Sequence, residues 1–264
     1  MPDVKANGLK IHYVEEGSGE AVVFVHGLVM DHTMYAAQFE DLPDQFRCIA
    51  LDLRGHGRTE CPPGPWSMQD SVDDVIAFIE AVDAAPCHFV GMSWGGMIGA
   101  RVAVQRPELL RSLVLIDTSI DADGPEQLEL ERGFREWIEQ AGLTDEVVAA
   151  AMPVLFGERY RADETAMAAY ADRVTSMKPE AVVEGLRAVM ERGSVTDRVG
   201  TLAIPVLVIH GEADAAQPVS EADKTAGLIP GARLVRLPGV GHTAPLEAPD
   251  EVNAALADFL TRSA

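Results

Sequence analysis

Three residue types with the chemistry of acyl transfer stand at telling places in this chain. Gly91-Met92-Ser93-Trp94-Gly95 lies between a short apolar run, 87–90, and a helical pattern reaching from Ser93 to about Gln105. A serine held in a sharp strand-to-helix turn needs small neighbours, because a Cβ at either flank would collide across the turn. Gly91, Gly95 and Gly96 meet that need. The helix beginning there aims free N–H groups and the positive end of its dipole at negative charge developing beside the serine. A serine hydroxyl is a weak nucleophile until a base takes its proton. The expected base is His242, in Gly239-Val240-Gly241-His242-Thr243, a Gly-rich loop after the last strand pattern. The other six of the seven histidines fall within strand patterns, on a first helical turn or in turns beside glycine. An imidazole base needs an acid to fix its tautomer and stabilise the imidazolium. Asp214, just after a strand in His210-Gly211-Glu212-Ala213-Asp214, is the expected acid, with Glu212 and Asp117 as alternatives. The tetrahedral oxygen formed on attack needs donors. The backbone N–H groups of Leu28, in His26-Gly27-Leu28, and of Trp94 are the expected pair.

The elements that must position these residues are legible as alternating patterns. Strands are predicted at 9–15, 21–26, 47–51, 87–90, 111–116, 205–210 and 233–237. Helices are predicted at 67–84, with Ser67 as N-cap, at 93–105 and at 249–261. Apolar strands alternating with helices imply an α/β fold, a mostly parallel sheet covered on both faces, with its site at the C-terminal strand ends. Residues 121–195 lack a strand pattern and show helical segments near 125–141, 144–151, 163–176 and 179–192, broken by Gly142, Pro153, Gly157 and Pro179. They read as a helical cap inserted into a core made of 1–120 and 196–264.

Composition bounds the function classes. Of 264 residues, 47 % are hydrophobic and 24 % charged, and the formal net charge is −21. That is the composition of a folded soluble domain, and its charge repels nucleic acid and anionic membrane surfaces. The N-terminal residues lack the apolar core of a signal peptide, and no stretch reaches the roughly 18 apolar residues of a membrane span. Three cysteines, Cys48, Cys61 and Cys87, have no metal-binding spacing and fit a reducing cytoplasm. No His-Glu-x-x-His run and no phosphate-loop spacing is present, so neither a catalytic metal nor nucleotide binding is expected. A homo-oligomer stays open.

Taken together, His26-Gly27, Asp52-Leu53-Arg54-Gly55-His56-Gly57-Arg58, Gly91 to Gly96, Gly211 to Asp214 and Gly241-His242 resemble the α/β-hydrolase superfamily over nearly the whole chain. Phe24 to Asp31, Asp52 to Arg58 and Ser93 to Gly99 are most similar to 3-oxoadipate enol-lactonases, related small esterases and cofactor-free haloperoxidases or perhydrolases. The resemblance implies the α/β-hydrolase fold with a helical cap and no cofactor. It also implies Ser93 as nucleophile, Asp214 as acid, His242 as base, and Leu28 and Trp94 as oxyanion donors. Dehalogenases and epoxide hydrolases of the fold carry Asp where Ser93 stands. Thr59 replaces the usual Ser, away from the chemistry. Trp94 replaces the Met typical of enol-lactonases, and an indole beside the nucleophile is expected to reshape the acyl pocket.

The expected function is a serine hydrolase cleaving a small-molecule carboxylic ester or lactone through an acyl-enzyme on Ser93. One rival reading is carbon–carbon bond hydrolysis of a ring-fission diketone by the same residues. Another is a ligand receptor or pseudoenzyme on this fold. Met30, Met152, Phe156 and Met177 are expected to line an apolar substrate pocket, with Met34, Met167 and Met190 as further candidates.

Overall fold

A computed structural model describes residues 2–263. Eight strands form one sheet: β1 (Asp3–Ala6), β2 (Leu9–Glu16), β3 (Ala21–Val25), β4 (Arg47–Leu51), β5 (Cys87–Met92), β6 (Leu110–Ile116), β7 (Val206–Gly211) and β8 (Arg233–Leu237). Their order is β1-β2-β4-β3-β5-β6-β7-β8. Pairings from β4 through β8 are parallel, and β1 and β2 join antiparallel at one edge. This is the α/β-hydrolase fold.

Successive strand residues point to opposite faces, and the two faces pack different helices. Val23, Val25, Phe89 and Leu113 join the core beneath α2 (Met68–Ala81) and α3 (Trp94–Gln105). Val22, Phe24, Val90 and Val114 join the other core, with α11 (Pro249–Arg262) and the first turns after β3. Burial on both faces explains why β3 is an unbroken apolar run and why β5 and β7 are buried at every position rather than alternating. Helix α2 begins where Ser67 and Asp70 cap one another reciprocally, through Asp70 N–H to Ser67 Oγ and Ser67 N–H to Asp70 Oδ2.

Five helices stand between β6 and β7: α4 (Pro125–Ala141), α5 (Asp145–Leu155), α6 (Glu158–Arg161), α7 (Glu164–Thr175) and α8 (Pro179–Met190). The predicted bounds of α4 hold to the residue. Pro153, read as a breaker, lies inside α5, which continues to Leu155 because its apolar side is packed. Of the remaining helices, α1 (Ala36–Asp41) follows directly on the helical turn expected at His32, whereas α9 (Val219–Leu228) and α10 (Ala244–Glu247) are absent from the sequence reading, as is β1. The β1–β2 turn had a local signal. Asn7 and Gly8 both have positive φ, 45° and 80°, as the tight hairpin turn favoured by Asn-Gly requires.

Candidate active site

The turn after β5 is as strained as its sequence implies. Ser93 has φ 50° and ψ −116°, a region that non-glycine residues rarely occupy. The glycines around it are forced by contact. A Cβ on Gly91 would meet the Gly95 carbonyl, and one on Gly95 would meet the Val25 carbonyl. Ser93 N–H donates to Ile116 O (2.9 Å), and Thr118 Oγ1 donates to Ser93 O (2.7 Å), so β6 and the residues after it hold the turn from both sides.

His242 and Asp214 converge on this serine from the ends of other strands. His242 Nε2 lies 2.9 Å from Ser93 Oγ, and His242 Nδ1 lies 2.7 Å from Asp214 Oδ2. An ionised carboxylate only accepts, so Nδ1 carries the proton and Nε2 is left to accept the serine O–H. The other Asp214 oxygen accepts the N–H groups of Ala216 and Gln217, both at 2.8 Å. All three side chains are buried, with Ser93 8 %, Asp214 8 % and His242 4 % exposed. Burial is the largest influence on His242 and disfavours its imidazolium, but the charge and hydrogen bond of Asp214, with the charge of Asp117, together outweigh it and hold the pKa above the ordinary value. Burial works to raise Asp214 as well. The facing His242 and His210 more than offset it, leaving the carboxyl well below the usual range.

The competing acids are elsewhere. Glu212 is exposed. Asp117 is fully buried near the site, but its two oxygens accept the N–H groups of Gly211 (2.9 Å) and Ala244 (2.8 Å) and neither reaches His242. Of the remaining histidines, His26 shows a structural role. Its Nδ1–H donates to Gly27 O and its Nε2 accepts from Leu53 N–H, tying the loop after β3 to that after β4. Burial lowers its pKa, which suits that neutral tautomer.

The segment Gly27–Leu28 lies directly against the serine: a Cβ on Gly27 would come within 2.6 Å of Met92 Sδ and 3.2 Å of Ser93 Cβ. Trp94 is the first residue of α3, so its N–H has no intrahelical acceptor. The Trp94 side chain departs from expectation. Its indole is fully buried, its edge meets the His56 ring at 5.3 Å between centroids, and it does not border the cavity above Ser93. It lies under α8, where Leu28 and Trp94 crowd Gly185.

That cavity has a volume of about 380 Å³, and Ser93 and His242 lie on its floor. Its walls are helical stripes: Gln127, Leu130, Glu131, Phe134 and Ile138 of α4; Val147, Val148, Ala150, Ala151, Val154 and Leu155 of α5; Tyr170 and Val174 of α7; and Val182, Leu186 and Val189 of α8. Each set recurs at three- and four-residue spacing, the signature of one helix face. Leu130 and Val154 border the cavity and are also exposed, 71 % and 43 %, which marks the mouth between α4 and α5. Met30 lines the cavity, and so do Met92 and Met97, which the sequence reading does not single out for it. Met152, Phe156 and Met177 do not. Met152 is off the α5 stripe, and Phe156 packs its ring on Tyr160 and Tyr170 at 5.4 and 4.9 Å. Met177 faces a second, polar cleft with His32 and Arg173.

Two groups could bring three ligand atoms near a metal ion, His12–His32–Asp52 and Asp117–His210–Asp214. In the second, both Asp117 oxygens and both Asp214 oxygens already accept hydrogen bonds. Among the described residues, no helix is long and apolar enough to cross a membrane.

Comparison with known proteins places this geometry in context. The family described as "alpha/beta hydrolase fold" matches residues 20–249. An esterase from Thermogutta terrifontis superposes with a TM-score of 0.91 at 29 % identity, over 99 % of this chain and 98 % of that one. The enol-lactonase from Burkholderia xenovorans LB400 superposes with a TM-score of 0.92 at 26 % identity, over 98 % and 100 %. The 2-hydroxy-6-oxo-6-(2'-aminophenyl)hexa-2,4-dienoic acid hydrolase of Metapseudomonas resinovorans is 26 % identical over 269 residues, covering 99 % of this chain and 91 % of that protein.

Proposed function

Because the chain belongs to the α/β-hydrolase fold family, we propose that it is a serine hydrolase that cleaves a carboxylic ester or lactone. The observation carrying this reading is the continuous line of hydrogen bonds from Asp214 through His242 to Ser93 at the floor of an apolar cavity. Ser93 Oγ attacks the carbonyl carbon while His242 Nε2 takes its proton. Asp214 holds the imidazole in the reactive tautomer and stabilises its charged form. The tetrahedral oxyanion accepts the N–H groups of Leu28 and Trp94. His242 then gives its proton to the leaving alkoxide, which departs as the alcohol, and an acyl group remains on Ser93. Water, deprotonated by His242, attacks the acyl carbonyl, and Ser93 leaves with the proton as the acid is released. In a lactone the alcohol and acid are the two ends of one product.

Residues 121–195 act in this reading as a cap on a core of 1–120 and 196–264. The substrate is medium-sized and apolar. No lysine or arginine borders the cavity, and Glu131 does, so a substrate carboxylate would enter a low-dielectric space without a counter-charge. Three free cysteines, two of them buried, are consistent with a cytoplasmic protein. A second reading keeps the same residues but breaks a carbon–carbon bond in a ring-fission diketone, and the likeness to the dienoic acid hydrolase favours it.

The test is turnover of esters of graded acyl length, lactones and a ring-fission diketone, with fluorophosphonate labelling of the purified protein. The reading expects labelling at Ser93 and highest kcat/KM on medium-length neutral esters or lactones. Best turnover of short anionic lactones would overturn the substrate class. Preference for the diketone would select the second reading, and absence of labelling with no turnover would select a ligand-binding role.

A further inference from the structure

The residues directly after β6 touch all three segments that carry the proposed catalytic groups. Ile116 O accepts the N–H of Ser93 (2.9 Å), and Thr118 Oγ1 donates to the carbonyl of the same residue (2.7 Å). Asp117 N–H donates to Ile209 O in β7 (3.0 Å). One Asp117 carboxylate oxygen accepts the N–H of Gly211, three residues before Asp214, and the other accepts the N–H of Ala244, two residues after His242. Asp117 is fully buried and sits at φ 45°, a left-handed conformation that few residues other than glycine, asparagine and aspartate adopt.

We infer that Ile116–Thr118 is the positioning hub of the site, in which the Asp117 carboxylate locks the acid-bearing and base-bearing loops to the nucleophile turn and adds its charge to the field on His242. This deepens the serine-hydrolase reading and rests on it. Asp117 touches no reacting atom; it acts through the backbone at Gly211 and Ala244. A neutral apolar side chain would leave two buried N–H groups without acceptors. Asparagine would keep one acceptor and turn an N–H₂ group toward the other donor.

The electrostatics agree with the geometry. Burial first, and the charge of Asp214 second, hold the Asp117 carboxyl well above the usual range. His210 and His242 oppose that rise, as does the Ala244 N–H. The groups facing Asp117 are therefore Asp214, His210 and His242, and Tyr35 is also within its field. The Asp117 carboxyl is pushed up to about 7, so above that pH its negative charge works to raise His242, and removing it lowers the pKa of the base.

The experiment compares the wild type, Asp117→Asn and Thr118→Val. Active sites are counted by fluorophosphonate titration, kcat and KM are measured across pH on a neutral ester, and the His242 imidazole is titrated by NMR. Asp117→Asn is expected to lower kcat per titrated site about tenfold or more, with KM nearly unchanged. It is also expected to move the acidic limb of kcat/KM, and the NMR titration of His242, to lower pH. Thr118→Val, which keeps shape and loses the bond to Ser93 O, is expected to lower kcat without moving the limb. The proposal is overturned if both variants retain wild-type kcat per active site, or if Asp117→Asn loses only folded protein while the His242 titration stays in place. The NMR titration does not depend on turnover. If the wild type neither labels at Ser93 nor turns over esters, the hydrolase reading fails on its own, and an unmoved His242 titration in Asp117→Asn still overturns the hub.

Discussion

The floor and the walls of the cavity are built on different principles. On the floor, Ser93, Asp214 and His242 project from turns at the ends of β5, β7 and β8, and each turn is fixed by backbone contacts that tolerate few residue types. The walls are largely apolar stripes on α4, α5, α7 and α8, with Gln127 and Glu131 among them, specified by which helix face they occupy. In the proposed hydrolase reading the floor would set which bond is attacked and the walls which molecule is held. Substitutions on the floor should therefore change kcat by orders of magnitude, and those on the walls should mainly change which substrate is preferred.

The largest effects are expected for Ser93→Ala and His242→Ala. The first removes the nucleophile and the second the group that carries its proton, so kcat/KM on any ester should fall ~10⁴-fold or more, with the melting temperature nearly unchanged. Steady-state kinetics on a protein of verified fold would check it. A fall confined to one acyl length would mean that the floor had been misassigned and that these residues belong with the walls.

Asp214 ranks next, and pH reads its role. The base must be neutral to take the serine proton, so activity falls as pH drops through the pKa of His242, which the Asp214 charge holds above the ordinary imidazole value. Asp214→Asn removes that charge. The acidic limb of kcat/KM should move to lower pH while kcat falls by ~10³-fold or more, since the tautomer is no longer fixed. In stability the signs oppose. The depressed Asp214 stabilises the fold above its unfolded pKa, and that contribution is lost as pH falls through its folded value. The raised His242 stabilises fully below its unfolded pKa, and its contribution is lost as pH rises through the folded value. A limb that stays in place in Asp214→Asn would break the assignment of the acid.

The same contrast explains what the sequence made legible. Gly91, Gly95 and Gly27 are visible because a Cβ at each would strike a neighbour across a turn, and steric exclusion leaves a mark in residue type. The order of Ser93, Asp214 and His242 follows from the strands that carry them. The walls leave no such mark. Met152, Phe156 and Met177 suit an apolar pocket by size and polarity alone, although facing is decided by packing and helix phase: Met152 lies one position beyond Ala151 and leaves the α5 stripe. Trp94 misleads for a similar reason. Its backbone belongs to the floor, but its indole turns under α8 against His56, away from the cavity. The helix α9 and the short β1 depend on tertiary packing and on one two-residue turn, weak signals beside the long apolar strands.

Moderate effects are expected on the walls, and they separate the stripe from its neighbours. Val148→Phe and Leu186→Phe add volume where the cavity is bordered by α5 and α8. Each should lower kcat/KM on the longest accepted acyl chains about tenfold, relative to the shortest. Met152→Ala and Met177→Ala lie off that surface and should leave the chain-length profile unchanged, whatever they do to stability. An ester series run on all four variants decides the matter. If Met152→Ala reshapes the profile as strongly as Leu186→Phe, helix phase is not what defines the wall.

The smallest effect tests how sharply the floor ends. Glu212 is two residues from Asp214 in sequence, yet it is exposed while Asp214 is held by His242, Ala216 and Gln217. Its backbone N–H donates to Leu237 O at 3.0 Å, a bond any residue but proline makes. Glu212→Gln removes one exposed charge, whose field on His242 is screened by water and salt. Turnover should stay within about twofold of wild type, and the acidic limb should not move. A limb displaced as far as in Asp214→Asn would mean that the acid function is shared, and that the line between positioned floor and solvated surface runs beyond Glu212.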